Sequence, residues 1–204
     1  MPCRPANGVF AMNDDVSVTN EDPVALWGEI SRLRATVARL ERQVSELDRL
    51  AHQDPLVPLP NRRGFERQLA SLIDRTERYG DAGALLFIDV DGLKMVNDSF
   101  GHEAGDAALI HIAELLTGGV RQSDTVARFA GDEFAVLLER VDLDQATETA
   151  ARLTDRIAGT SFTFEEQAIP LSAAIGIAEI RGGDTPESVL ARADQAMYAQ
   201  KVAA

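Results

Sequence analysis

The chain has 204 residues, 45% of them hydrophobic, and carries a formal net charge of −13 with a pI near 4.6. That length suits one domain plus an appendage, and the composition is rich enough to bury a core, which excludes wholesale disorder. So acidic a surface repels phosphate backbones, excluding sequence-independent nucleic-acid binding, yet it leaves nucleotide substrates open, because a cation held by carboxylates reverses the local sign.

Residues 1–21 show no periodicity and several turn formers, and are expected to form a flexible tail. The start lacks the apolar stretch of a signal peptide, no run reaches membrane-spanning length, and the lone Cys3 cannot make an internal disulfide. A soluble cytoplasmic protein, with neither nucleic acid nor membrane as partner, is the expectation. Asp22-Pro23 reads as an N-cap with proline at the first helical position. From there a heptad rhythm runs to residue 53. Ile30, Val37, Val44 and Ala51 fall on one seam position, and Leu26, Leu33, Leu40 and Leu47 on the other. β-branched residues at the first with leucine at the second favour a parallel two-stranded coiled coil, with Glu29 facing Arg34 across it. The bland alternative, one amphipathic helix packed on the globular domain, would show a wider apolar stripe.

From residue 54 to 204 the pattern alternates. Helices are expected over Asn61–Tyr79, Glu103–Leu116 (closed by Gly118-Gly119), Leu143–Ala158 and Pro186–Lys201. Ala84–Val90 reads as a central strand, Thr125–Phe129 and Glu133–Leu138 as a hairpin about Ala130-Gly131, and Ile169–Ile180 as a strand region. The order predicts an α/β fold with a mixed central sheet, helices around it and the hairpin at one edge, preceded by a long coiled-coil helix.

The acidic residues stand where strands stop: Asp89 and Asp91 close Ala84–Val90, and Asp132-Glu133 follow the hairpin turn. Carboxylates meeting at neighbouring strand ends repel unless a cation lies between them, and oxygen-only ligation suits Mg2+ or Mn2+. Taken singly, Asp91 reads equally as the N-cap of a helix from Leu93, and Asp132 as a turn residue. No GxxxxGK loop is present to hold phosphates.

Five longer strings decide between these readings: DPLVPLPNRRGFE (54–66), IDVDGLKMVNDSFGHEAGDAAL (88–109), RFAGDEFAVLL (128–138), SAAIGIA (172–178) and ADQAMYAQK (193–201). In this order and spacing they resemble the GGDEF domains of diguanylate cyclases over essentially all of residues 54–201. The resemblance implies a fold related to nucleotide cyclases and polymerase palms, and condensation of two GTP into cyclic di-GMP by a homodimer. It implies that Asp89, the Val90 carbonyl and Asp132 hold the metal, and that Glu133 helps deprotonate the attacking 3′-hydroxyl. Gly131 lets the backbone approach the phosphates. Asn97 and Asp106 read the guanine edge, Lys94 and Lys201 hold the terminal phosphates, and His102 orients the Asn97–Asp106 segment rather than reacting. Arg121 and Asp124 match the family's inhibitory site for cyclic di-GMP, with Arg75 as a second contact from the partner domain. Phe129, Phe134, Met197 and Tyr198 read as packing.

Three departures accompany the resemblance. Ala130 replaces the first glycine of the signature, and Val57-Pro58 replace a usual Thr-Gly. The sequence stops at Ala204, where family members continue with Gly-Arg-Asn, so a weaker grip on GTP is expected. The competing function class is a non-catalytic GGDEF module that binds GTP or cyclic di-GMP and signals through protein contacts. A purely structural dimerisation protein would leave the polar residues without a purpose.

Overall fold

The computed structural model describes residues 23–203, so the expected tail and the Asp22 cap lie outside the described residues. The chain divides into two units between Ser45 and Glu46. Helix α1 (Pro23–His52) makes up the described part of the first unit and ends in the second. Along it Leu26, Leu33, Val37 and Leu40 are exposed, with about half of the Leu33 and Leu40 surface open at 55% and 48%.

The second unit continues through α2 (Arg62–Tyr79), β1 (Gly83–Val90), α3 (Leu93–Phe100), α4 (His102–Gly119), β2 (Thr125–Ala130), β3 (Glu133–Glu139), α5 (Leu143–Gly159), β4 (Phe162–Phe164), β5 (Gln167–Ile169), β6 (Ala173–Glu179) and α6 (Pro186–Ala203). Four strands form a sheet in the order β2-β3-β1-β6, and β4 pairs with β5 separately. Strand β1 is central because each of its faces is apolar. Leu86, Ile88 and Val90 join a core with α4 and α5, whereas Leu85 and Phe87 join a second core with α2 and α6. That alternation, with a period of two, sandwiches the sheet between helical layers.

The α/β class agrees with expectation, but the strand sense does not. Every pairing in the sheet is antiparallel, where a mixed sheet was expected. A two-residue turn forces β2 and β3 antiparallel. β3 and β6 each run against β1 and never touch each other, so no parallel pair arises. Helix α4 runs through Gly118 and Gly119 instead of stopping before them. Arg156 and Arg152 donate to the carbonyls of these glycines (3.2 and 3.1 Å), holding the last turn closed. The strand expected over Ile169–Ile180 is broken at Pro170, which lacks an N–H for the ladder, leaving β5 and β6.

Two details position the site. Asn61 caps α2 by accepting from Gly64 N (3.0 Å), while its amide donates to the Ala51 and Gln53 carbonyls (both 3.1 Å), pinning the end of α1 to the start of α2. Gly176 on β6 lets α6 approach closely: a Cβ there would collide with the Ala193 carbonyl and the Met197 backbone. This approach brings the last turns of α6 to the end of β1.

Candidate active site

Strand β1 ends at the acidic cluster because its ladder with β3 sets Asp89 directly opposite Glu133. Val90 N donates to the Asp132 carbonyl (3.0 Å), tying the strand end to the hairpin turn. The Glu133 carboxyl is pushed above its usual range, first by burial and then by the charges of Asp89, Asp132 and Asp194, with Arg62 acting the other way. Lys201, one turn beyond Met197 on α6, places its ammonium 2.5 Å from Asp89 and 3.6 Å from Asp91. The lysine expected to hold the terminal phosphates thus stands beside the strand-end carboxylates. Burial depresses the Lys201 pKa, but the two aspartates outweigh that and hold it above its usual value. Asp91 is not the cap of α3. That place belongs to Gly92 in a left-handed conformation, and Asp91 instead accepts from Ser172 Oγ (2.9 Å).

The hairpin turn is held from behind. The β2–β3 register shifts between Arg128 and Ala130, a bulge that leaves Phe129 unpaired. Phe129 packs edge-on against Phe87 and Phe65, as read from the sequence, and the Arg62 guanidinium lies 4.8 Å over its ring. Arg128 donates through Nε and Nη2 to the Gly131 carbonyl (3.0 and 2.8 Å) and through Nη1 to Asp54 (3.2 Å). Asp54 also accepts from Leu56 N and Val57 N. Because a trans peptide sets its N–H opposite its C=O, pinning the Gly131 carbonyl turns the Asp132 N–H to the far side of the loop. The left-handed backbone of the turn falls on Gly131 (φ 51°) and Ala130 has none, which is why alanine is accommodated there. Val57, the other departure, is buried in the core.

Beside the turn opens a cleft of about 470 Å³, lined by Lys94, Asn97, His102, Asp106, Arg128, Gly131 and Asp132 among others. The expected base-reading residues and Lys94 therefore share one concavity with Asp132 of the strand-end cluster, whereas Lys201 is not among its lining residues. Helices α3 and α4 supply them from either side of the corner at Gly101, whose N–H donates to the Asn97 carbonyl (2.9 Å). Arg121 and Asp124 line another part of the surface. Asp124 accepts from Arg121 N (2.9 Å) and Glu139 N (3.2 Å), and the Glu139 carboxylate pairs with Arg75 at 2.6 Å. Arg75, expected as a second contact from the partner domain, pairs within its own chain with Glu139.

Residues 51–204 match the family described as "Diguanylate cyclase, GGDEF domain". The chain belongs to that family. It is 35% identical over 177 residues to diguanylate cyclase DgcP of Pseudomonas aeruginosa, covering 87% of this chain and 26% of that protein. It is 38% identical over 192 residues to diguanylate cyclase TpbB of the same species, covering 92% of this chain and 43% of that one. The chain thus spans less than half the length of these relatives. Among solved structures it superposes with a TM-score of 0.82, at 26% identity and over 88% of this chain and 95% of that chain, on the coiled coil and GGDEF domain of DgcB from Caulobacter crescentus in complex with c-di-GMP.

GGDEF diguanylate cyclases use a divalent metal, and the residues here fit one. The donors at the strand ends are oxygens, burial and then the neighbouring carboxylates raise Glu133, and a lysine ammonium already stands at Asp89 as a cation. Among the described residues no three acidic, histidine or cysteine side chains converge into a ready-made cage. Arg128, Asp54 and Ser172 lie in the GGDEF strings, and sequence reasoning gave them no role. Each acts by hydrogen bonds to a residue distant in sequence, and spacing along the chain carries no sign of such a pairing. Asp194, beside Glu133, escaped for the same reason.

Proposed function

We propose that this chain is the catalytic part of a diguanylate cyclase, joining two GTP into cyclic di-GMP and pyrophosphate as a homodimer through α1. The observation that carries the reading is the single cleft lined by Asn97, Asp106, Lys94, Gly131 and Asp132 at the end of β1. Asn97 and Asp106 meet the guanine edge, whose carbonyl accepts and whose ring and exocyclic N–H groups donate. Lys94 and Lys201 hold the terminal phosphates, and His102 orients the α3–α4 corner. Asp89, Asp132 and the Val90 carbonyl would hold Mg2+ or Mn2+, which supplies charge neutralisation at the α-phosphate and at the departing pyrophosphate. Glu133 accepts the proton of the 3′-hydroxyl. Its raised pKa makes it a better base than an ordinary carboxylate. The 3′-oxygen bonds to the α-phosphorus of the facing nucleotide as the bond to pyrophosphate breaks, and the second transfer closes the ring. Each GGDEF domain brings one GTP, so the gain from dimerisation is orientational.

The dimer reading rests on the heptad pattern and on the exposed Leu33, Val37 and Leu40. It also fits the likeness to DgcB, whose solved chain includes a coiled coil. Product feedback is part of the proposal. Asp124 accepts from Arg121 N and Glu139 N, Arg75 pairs with the Glu139 carboxylate, and a guanidinium with a carboxylate suits both the guanine edge and the phosphate of cyclic di-GMP. The substrate implies a cytoplasmic setting, and no described helix is long and apolar enough to cross a membrane.

Incubation with GTP and magnesium should yield cyclic di-GMP. Asp132→Asn should lower the rate by a factor of about a hundred or more with the fold and dimer intact. If wild type forms no product at any metal or GTP level, the non-catalytic nucleotide-binding reading takes over.

A further inference from the structure

Gly105 is a buried residue inside α4, next to Asp106 in sequence, and it is not among the positive-φ glycines. Its backbone would accept any L residue, and alanine would make a better helix. What requires glycine is space. A Cβ at this position would overlap Asn97 Oδ1 and stand 2.9 Å from Asn97 Cγ and 3.3 Å from Nδ2. The amide of α3 therefore lies directly on the backbone of α4, in the notch left by the missing side chain. Asn97, Gly105 and Asp106 all line the same cleft.

We infer that Gly105 is a specificity-determining position: its missing Cβ seats the Asn97 amide beside the Asp106 carboxylate, so that two groups from different helices present one hydrogen-bonding edge to a purine base. The inference rests on the reading of Asn97 and Asp106 as the base-reading pair. A methyl at residue 105 leaves Asn97 two ways out. It can turn its amide away from α4, or α3 can lift off α4 at the Gly101 corner. Either movement separates amide from carboxylate, and a base edge that needs both loses one partner. The hairpin turn on the phosphate-binding side of the cleft stays where it is, and Lys94, at the end of α3 away from the Gly101 corner, moves less than Asn97. Gly105 does not touch the base; it acts through Asn97 and is a positioning residue.

The check uses the full chain and two nucleotides that cannot cyclise, 3′-deoxy-GTP and 3′-deoxy-ATP, with binding measured by calorimetry in magnesium. Gly105→Ala should weaken 3′-deoxy-GTP binding by about tenfold, the scale of one lost hydrogen bond to the base, and change 3′-deoxy-ATP binding by less than about twofold. Asn97→Ala should do the same, and the double variant should bind no worse than Asn97→Ala alone. Thermal melting supplies a second readout. Alone, Gly105→Ala should lower the melting temperature through the clash. Added to Asn97→Ala it should raise it, because the methyl then has room and alanine favours the helix. Unchanged 3′-deoxy-GTP binding in Asn97→Ala would overturn the base-reading assignment on which this rests. A loss in Asn97→Ala with none in Gly105→Ala would overturn the role of Gly105 itself, as would a double variant that melts below Asn97→Ala.

Discussion

At Glu133 the site stores repulsion. Burial is the first influence on its carboxyl, and Asp89 across the β1–β3 ladder, Asp132 beside it and Asp194 near it add to that effect. The folded-state pKa is raised, so the folded protein binds the proton more readily than the unfolded chain. The contribution of this group to stability is therefore fully present at acid pH and is lost as pH rises through the ordinary carboxylate range to the raised value. Glu133→Gln removes the charge, and in metal-free buffer near pH 7.5 it should melt a few degrees above wild type. The advantage should vanish near pH 4, where the wild-type carboxyl is itself protonated. Added magnesium should raise the wild-type melting temperature and narrow the gap. A variant that melts no higher than wild type at neutral pH would show that the cluster carries no net repulsion. The lysine at Asp89 points the same way, since its ammonium pairs with both Asp89 and Asp91.

Helix α6 delivers that lysine, and its other end is anchored by Asp184. The Asp184 carboxylate receives two donors from Arg192 (2.8 and 2.7 Å) and one each from Arg181 N and Ser188 Oγ, while Arg192 also reaches the Glu179 carbonyl. The Arg192 guanidinium, with those further bonds, draws the carboxyl down to about 2 against the partial cost of burial. A depressed pKa means stability present above the ordinary carboxylate value and lost as pH falls through about 2. Arg192 remains 37% exposed, so solvent discounts the coupling. Asp184→Asn should cost ~1–2 kcal/mol at neutral pH, read from urea unfolding, and close to nothing near the acid limit. A cost that persists unchanged in acid would assign the effect to packing instead. Elements of this kind were legible in the sequence to different degrees. The helix from Pro186 announced itself by proline and by spacing, whereas the interruption at Pro170 and the extension of α4 through two glycines did not. The carbonyls at that helix end are satisfied by Arg152 and Arg156, which lie more than thirty residues away in the chain.

For the molecule as a whole, the stripe on α1 is the open question of assembly. Leu33 and Leu40 sit one heptad apart on the seam and are half exposed in the single chain. Changing both to Asp would bring unpaired charge into an apolar interface, a substitution that costs several kcal/mol when the interface is buried. The variant should sediment as a monomer, and its cyclase rate per mole should fall steeply on dilution. A dimer that survives would show that α1 is not the surface through which the copies meet. The same double change should leave the melting of the globular unit in place, since neither residue belongs to either core.

What the sequence determined by itself is what repeats or clusters along one dimension. The heptads of α1, the alternation of helix and strand, the continuous apolar run of β1 and the acidic residues at its end were all legible, and the five strings carried the family. The antiparallel sense of the sheet was decided only in three dimensions, because strand direction depends on which end of the molecule each connection returns from. So was the fork of Arg128 onto Gly131 and Asp54, which joins positions 74 residues apart. The ion pair of Lys201 with Asp89 was likewise decided by packing, because Gly176 lets α6 lie close to the sheet. Gly105 is the sharpest case. In the sequence it is one glycine inside a helical stretch, a small local cost with no visible cause. In the fold it is the space that Asn97 fills, and only the packing of α3 on α4 supplies the reason.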